Sequence, residues 1–442
     1  ELVEIEIQDV YSELAEFIKD RQTKVNFLLG SNLTNEDYVA FREFSKTISQ
    51  SESSFYLNDD LLYKGFFGDN IELAKIDDLN SSDAIVVWAE DLKEKLPVLY
   101  LRIRQAVKNG VKLVVFGHTN ETLSDIADVF YGKDMVSENF EILKDLSKMK
   151  EINNLVVGKN ITAILGKSTP YQSDESVTKL FEFLNSNANT KVLNAYSKGN
   201  TYGAFQTLEN LKGLNDFVND ISKDNTDLLF IVGADPIGRS VYSNQIKSII
   251  KSIDTVVTLD NFNHETSELS DYVVPISSTL GEKEGTFTNI EFRTSRIEKL
   301  VPSPGQTVSD WEFITSLMNF AGLKAEANSL EDLNRKAYEN LDSSLSPVFD
   351  NLDKPSNLDG MINISKPKIS TSENKLNKTM FFTGEKLYGD SATERHSDSI
   401  SMLGSKKFIE VSESVAEKYN LTSGSCILTQ DELEVTVSYE VN

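Results

Sequence analysis

Leu228-Leu229-Phe230-Ile231-Val232-Gly233-Ala234-Asp235-Pro236 is an unbroken apolar run that stops at a glycine and a polar turn. A strand apolar at every position, not at alternate ones, has both faces covered, as in a parallel sheet between layers of helices. The same grammar recurs at Val25-Asn26-Phe27-Leu28-Leu29-Gly30, Ala84-Ile85-Val86-Val87-Trp88, Lys112-Leu113-Val114-Val115-Phe116-Gly117, Ile161-Thr162-Ala163-Ile164-Leu165-Gly166, Lys191 to Tyr196 and Thr255 to Leu259. Helical periodicity fills much of the space between them. Val10, Leu14, Phe17 and Ile18 share a face, Phe41, Phe44 and Ile48 another, and Leu99, Tyr100, Ile103 and Val107 a third behind Pro97. Helices are also expected over Asn120 to Asp128, Ser173 to Phe183 and Tyr242 to Ile253. Strand, helix and strand joined by short links make the right-handed parallel unit of a doubly wound sheet.

The order of these runs predicts two tandem doubly wound, mainly parallel α/β domains over residues 1–145 and 146–330. A polar stretch, 331–380, reads as a helical and irregular linker. In 381–442, Leu433, Val435, Val437, Tyr439 and Val441 alternate with polar residues, the period of a half-buried strand, so a small β-rich module is expected there.

Two turns and one loop stand out. Gly30-Ser31-Asn32-Leu33-Thr34-Asn35-Glu36-Asp37 leads from a strand into a helix, with Thr34 placed to cap it and Asp37 at the capping-box position. Backbone N–H groups at such a helix start suit an anion, and an ordinary capped turn looks the same. Gly281-Glu282-Lys283-Glu284-Gly285-Thr286-Phe287-Thr288-Asn289 follows the strand Tyr272-Val273-Val274-Pro275. Glycines four apart mean that the backbone bends sharply, or passes close to something else, at Gly281 and Gly285. Such a loop is either a ligand cradle or a latch. Thr286, Thr288 and Asn289 can tie it down, and Phe287 can fill a seam.

Composition removes several function classes. With 69 acidic against 44 basic residues the net charge is −25, which repels free nucleic acid and favours a basic protein partner. One cysteine, Cys426, excludes a disulfide framework and any cluster held by several thiols of these residues. His118, His264 and His396 are far apart and read as turn or surface histidines, so no metal site is expected. No run reaches the length of a membrane-spanning helix. Glu282 and Glu284 have no placed acid–base partner, Arg293 and Arg296 read as partners for nearby glutamates, and Trp88 and Trp311 as packing residues.

The turn Gly30 to Asp37, the helix Leu96-Pro97-Val98 with Leu101-Arg102-Ile103-Arg104, the turn Gly233 to Pro236, Asp271 to Pro275, Glu284 to Asn289 with Arg293, and the connector Pro302 to Trp311 together resemble the molybdopterin oxidoreductase superfamily. Within it the chain looks most like the large iron–sulfur subunit of NADH:quinone oxidoreductase, respiratory complex I. That resemblance implies a formate dehydrogenase/DMSO reductase-like fold, with the last module similar to the start of a dinucleotide-binding barrel. Its loops imply a relic pterin site at Ser31, Thr34, Asn35, Asp235, Gly285, Thr286, Asn289 and Arg293. The departures are as informative. Asp235 stands where the family has asparagine, Gly117-His118-Thr119 where active members tend to show Asp-Pro-Arg, and Cys426 does not match a metal-ligand position.

The expectation is therefore a structural, non-catalytic region of a respiratory NADH dehydrogenase. It would bind no cofactor, with molybdopterin lost and iron–sulfur clusters on an upstream region. It would dock with the other subunits on the cytoplasmic side of the inner (plasma) membrane without inserting. The alternative is a fragment of a formate dehydrogenase-like enzyme holding a pterin guanine dinucleotide.

Overall fold

The computed structural model describes residues 2–19, 23–48, 53–59, 72–89, 91–116, 121–131, 149–166, 189–208, 210–240, 242–291, 293–338, 392–404, 408–411, 413–422, 424–430 and 433–441, in two compact units, Glu1–Ser370 and Thr371–Asn442. The helix expected over Ser173 to Phe183, the turn with His118 and most of the linker lie outside the described residues.

The first unit holds two parallel sheets with helices between and around them. The central sheet has five strands in the order Tyr272–Pro275, Thr255–Asp260, Leu228–Val232, Val25–Leu29 and Phe55–Leu57. The other has six, in the order Glu72–Leu73, Thr190–Asn194, Ile161–Leu165, Ala84–Trp88, Lys112–Phe116 and Val129–Tyr131. Mixed α/β architecture with parallel sheets and a small C-terminal sheet is thus the fold. The strands Val25–Leu29, Leu228–Val232, Ala84–Trp88 and Ile161–Leu165 are buried at every position, Asn26 and Thr162 included, as their almost wholly apolar runs require.

Strand pairing runs across the boundary drawn near residue 145. Val25 to Leu29 lie in register with Leu228 to Val232, so the six-stranded sheet is inserted between the second and third strands of the central one. An apolar run states that a strand is buried, and long-range packing states beside what. Here Phe27 decides it, stacked on Phe55 at 4.9 Å and on Phe230 at 5.6 Å. The short strand Phe55–Leu57 is not among the strands read from the sequence, and the helix expected over Asn120 to Asp128 is shorter, Glu121–Ser124, and is followed by the edge strand Val129–Tyr131.

The helix Ile7–Lys19 buries Val10, Tyr11, Leu14, Ala15 and Ile18, with Tyr11 against Phe313 at 5.2 Å. The helix Asn35–Ile48 covers the central sheet with Phe41 and Phe44 and carries two further helices, Asp310–Phe320 and Leu330–Ala337. Trp88 and Phe116 fill one side of the inserted sheet.

The second unit is a three-stranded sheet, Phe408–Val411, Leu433–Val441 and Gly424–Gln430, with the helix Glu413–Tyr419. Its core is small, centred on Val411, Ala416 and Tyr439, and Cys426 packs at its margin. Among the described residues, no helix is long and apolar enough to cross a membrane.

Candidate functional site

In the central sheet the chain passes from Val25–Leu29 to its neighbour on one side, Phe55–Leu57. From Leu228–Val232 it runs outward on the other side. The reversal puts a topological switch point between these two strands, where open α/β sheets form a crevice at their C-terminal ends. Two turns meet there, Gly30-Ser31 and Gly233-Ala234-Asp235. Gly30 N donates to Val232 O at 2.7 Å, Tyr38 Oη donates to Gly30 O at 2.7 Å, and Gly233 has φ +58°. The approach is so close that a Cβ on Gly30 would stand 1.9 Å from Gly233 O.

The inserted sheet points its C-terminal edge at the same place. Its strand Thr190–Asn194 ends in a segment that reaches Asn200, whose N–H donates to Ser31 O at 2.9 Å and whose Nδ2 donates to Leu33 O at 2.7 Å. Two hydroxyls at this junction, Ser31 Oγ and Thr201 Oγ1, are buried and have no partner among the described residues. A buried hydroxyl without a partner costs roughly 1–3 kcal/mol, so both suit a bound polar group.

Asp235 caps the turn Pro236–Arg239 by accepting from Gly238 N at 3.0 Å, and it accepts from Thr266 Oγ1 at 2.9 Å. Beside it stands His264, which the sequence reads as an ordinary turn histidine. Its side chain is 6 % exposed, with Nε2 3.2 Å from Asp260 Oδ2 and Nδ1 3.6 Å from Asp235 Oδ1. Ser267 N donates to Nδ1 at 3.3 Å. The signal for His264 is its place four residues after Asp260, at the end of a buried strand.

The loop singled out in the sequence becomes an antiparallel ribbon, Gly285–Thr288 against Thr294–Ile297. Gly281, at φ +102°, makes the bend. Gly285 lies in the strand and is needed for close approach: a Cβ there would stand 2.5 Å from Thr34 Cγ2 and 2.9 Å from Glu36 Oε2. Thr286 N and Oγ1 donate to Glu36 at 2.7 and 2.8 Å, and Asn334 Nδ2 donates to the same carboxylate at 2.6 Å. Asn35 Nδ2 lies 3.1 Å from both Thr286 Oγ1 and Thr288 Oγ1 and 3.0 Å from Tyr338 Oη. Thr288 N donates to Asn200 Oδ1 at 2.7 Å. Asn289 Oδ1 closes the ribbon turn by accepting from Glu291 N and Arg293 N at 2.9 and 3.0 Å.

Beneath the ribbon Lys283 Nζ donates to Asp37 Oδ2 at 2.7 Å and to Asp310 Oδ2. These side chains are 2 %, 0 % and 0 % exposed. Asp37 also accepts from Thr34 N and Thr34 Oγ1, both at 2.8 Å, and Asp37 N donates to Thr34 Oγ1 at 3.1 Å, so the expected capping box is present.

The nominated residues therefore part into two groups. Ser31 and Asp235 line the sheet edge. Thr34, Asn35, Gly285, Thr286 and Asn289 build the latch, and their polar atoms are spent on one another, on Glu36, Asp37, Asn200 and Tyr338, and on the ribbon turn at Glu291 and Arg293. Arg293 sits at the ribbon turn with its side chain exposed, and Arg296 pairs with Glu284 at 3.7 Å. Lys283, Asp310, Asn200 and Asn334 escape sequence reasoning because their partners lie far away in the chain.

Burial pushes the Glu36 carboxyl above its ordinary range, against three neutral donors. Glu36→Gln turns one oxygen into an N–H₂ group facing a donor. A loss of about 1–3 kcal/mol is expected in a urea melt, well above the effect of a surface Glu→Gln change.

A molybdopterin oxidoreductase profile matches residues 1–320. The chain is 22 % identical over 408 residues to the alpha subunit of an F420-dependent formate dehydrogenase from Methanocaldococcus jannaschii, covering 72 % of this chain and 60 % of the relative. It is 34 % identical over 135 residues to the alpha subunit of F420-dependent formate dehydrogenase 2 from Methanococcus maripaludis, covering 28 % of this chain and 20 % of the relative. It thus spans less than two thirds of the length of these relatives. Among solved structures, a chain of the formyltransferase/hydrolase complex of Methylorubrum extorquens superposes with a TM-score of 0.51 at 11 % identity. The match covers 72 % of this chain and 96 % of that one, a likeness of fold alone.

Proposed function

The chain belongs to the molybdopterin oxidoreductase family, and from that premise we propose that it is part of a formate dehydrogenase-like oxidoreductase and helps to hold a pterin guanine dinucleotide. The relatives described above, formate dehydrogenase alpha subunits, favour this over the finer resemblance to complex I. The observation that carries the reading is the pair of unpartnered buried hydroxyls, Ser31 and Thr201, where the C-terminal edges of two parallel sheets converge.

The residues present fit the nucleotide part of such a group. Ser31 and Thr201 offer hydroxyl donors to phosphate oxygens, and the glycine turns let backbone come close to it. Asp235 and Asp260 would suit the N–H edge of guanine, since a carboxylate accepts from two adjacent donors. When bound, the molybdenum-bearing pterin supplies the two-electron centre. The chain's own part is to bind and orient the nucleotide end and to keep water from it.

Protein produced in a host that makes the cofactor should release, on acid oxidation, a fluorescent pterin and GMP near one per chain. Ser31→Ala with Thr201→Val should lower that yield several-fold while leaving the melting midpoint within about 2 °C, because the hydroxyls lose no internal partner. Folded protein free of pterin would overturn the reading.

One observation favours a second reading, a cofactor-free structural region of the large iron–sulfur subunit of an NADH:quinone oxidoreductase, docked peripherally among its other subunits. The two turns Gly30-Ser31 and Gly233-Ala234-Asp235 themselves carry one hydroxyl and one carboxylate and no cation for a diphosphate. Absence of pterin in the same assay would support it.

A further inference from the structure

We propose that the ribbon Gly285–Ile297 is a clasp between the two sheets of the first unit, and that proton uptake by the carboxylates under its base tightens it. The inference stands whether or not the chain holds a pterin.

The ribbon is anchored at both ends. Its base is bonded to the helix Asn35–Ile48, which covers the central sheet, through Thr286 to Glu36, and to the segment after the inserted sheet through Thr288 to Asn200. Its tip reaches the inserted sheet, where Ile290 packs against that sheet's core and Ile76 N donates to Glu291 Oε1 at 2.7 Å. A segment bonded to both bodies limits their relative motion, and its own stability sets how often they part.

The base is built on an unbalanced charge. Lys283 comes from the loop before the ribbon, Asp37 from the helix Asn35–Ile48 and Asp310 from the start of its own helix, so three elements put one ammonium and two carboxylates in one buried place. Tyr38 faces the same carboxylates, and Glu36 lies one residue before Asp37, near Tyr338. With both aspartates ionised the cluster holds a net negative charge out of water, which is costly. Asp37 is satisfied by Thr34, Trp311 N and Lys283, whereas among the described residues nothing donates to Asp310 Oδ1. Asp310 therefore takes the proton.

Burial holds its carboxyl up to about 7, and Glu36 is pushed the same way. A carboxyl raised above its unfolded value contributes stability that is complete below the ordinary carboxylate range and is lost as pH rises through the folded value. The clasp is accordingly tightest in mild acid.

Amide hydrogen exchange of the full chain tests this at Thr286 and Thr288. After correction for intrinsic exchange, protection should fall about tenfold between about pH 6 and about pH 8.5, and Asp310→Asn should make that fall markedly shallower, with only Glu36 left to titrate. Equal protection at both pH values, or an unchanged slope in Asp310→Asn, would overturn the proposal. Should that variant not fold, the ¹³C carboxyl shift of Asp310 in the unaltered chain should titrate near 7; no inflection between about pH 5 and about pH 9 would overturn it equally.

Discussion

Lys283→Met is expected to destabilise the first unit by about 3–5 kcal/mol, read as a lower urea midpoint with an unchanged slope. The ammonium donates to Asp37 and Asp310 in a place that water does not reach. Methionine fills a similar volume and removes the only cation given to this pair among the described residues, leaving two carboxylates facing each other. The partners that Lys283 loses cannot be replaced by solvent, so the cost is that of unpaired buried charge and far exceeds the ~0–1 kcal/mol of a surface pair. Adding Asp310→Leu to Lys283→Met should recover much of the loss, because the second variant removes the charge the first one stranded. A double variant as unstable as the sum of the singles would show that the residues pack independently. Both aspartates cap or begin helices, so the same substitution should also raise exchange at Thr34 to Tyr38 and at Asp310 to Phe313.

Gly30→Ala is the second large effect, and its cause is distance. The added methyl would lie 1.9 Å from Gly233 O and 2.7 Å from its carbonyl carbon, both backbone atoms at the end of a paired strand. Neither turn can yield without breaking the bond from Gly30 N to Val232 O or the φ +58° turn at Gly233. A loss of more than about 4 kcal/mol, or failure to fold, is expected. Gly110→Ala is the control. Gly110 has φ +102° with nothing within 4 Å of the added carbon, so only backbone strain of about 1–2 kcal/mol opposes it. Equal losses at the two positions would show that the approach of the two turns is not tight.

How much is legible in the sequence depends on whether the information is local. The runs at Val25, Ala84, Lys112, Ile161, Leu228 and Thr255 read correctly as buried parallel strands because burial on both faces leaves most positions apolar, with no alternation. The capping box of Thr34 and Asp37 is legible because both partners lie within one turn of helix. Gly281 and Gly285 both stand out in the sequence, but only the fold divides their roles: one bends, the other makes room for Thr34 and Glu36. His264 looks like a turn residue since nothing nearby in sequence shows that Asp235 will stand beside it.

Chemical pattern along the chain was therefore enough to decide that this protein is a parallel α/β protein with a small β-rich end, and which turns lie at its sheet edges. Contact between distant segments decided the rest. Periodicity carries no record of partners, so the insertion of one sheet within the other emerged only when Phe27 met Phe55 and Phe230. Nothing local sets Lys283 apart in its loop of charges, and its role comes only from folding, which takes it out of water between Asp37 and Asp310.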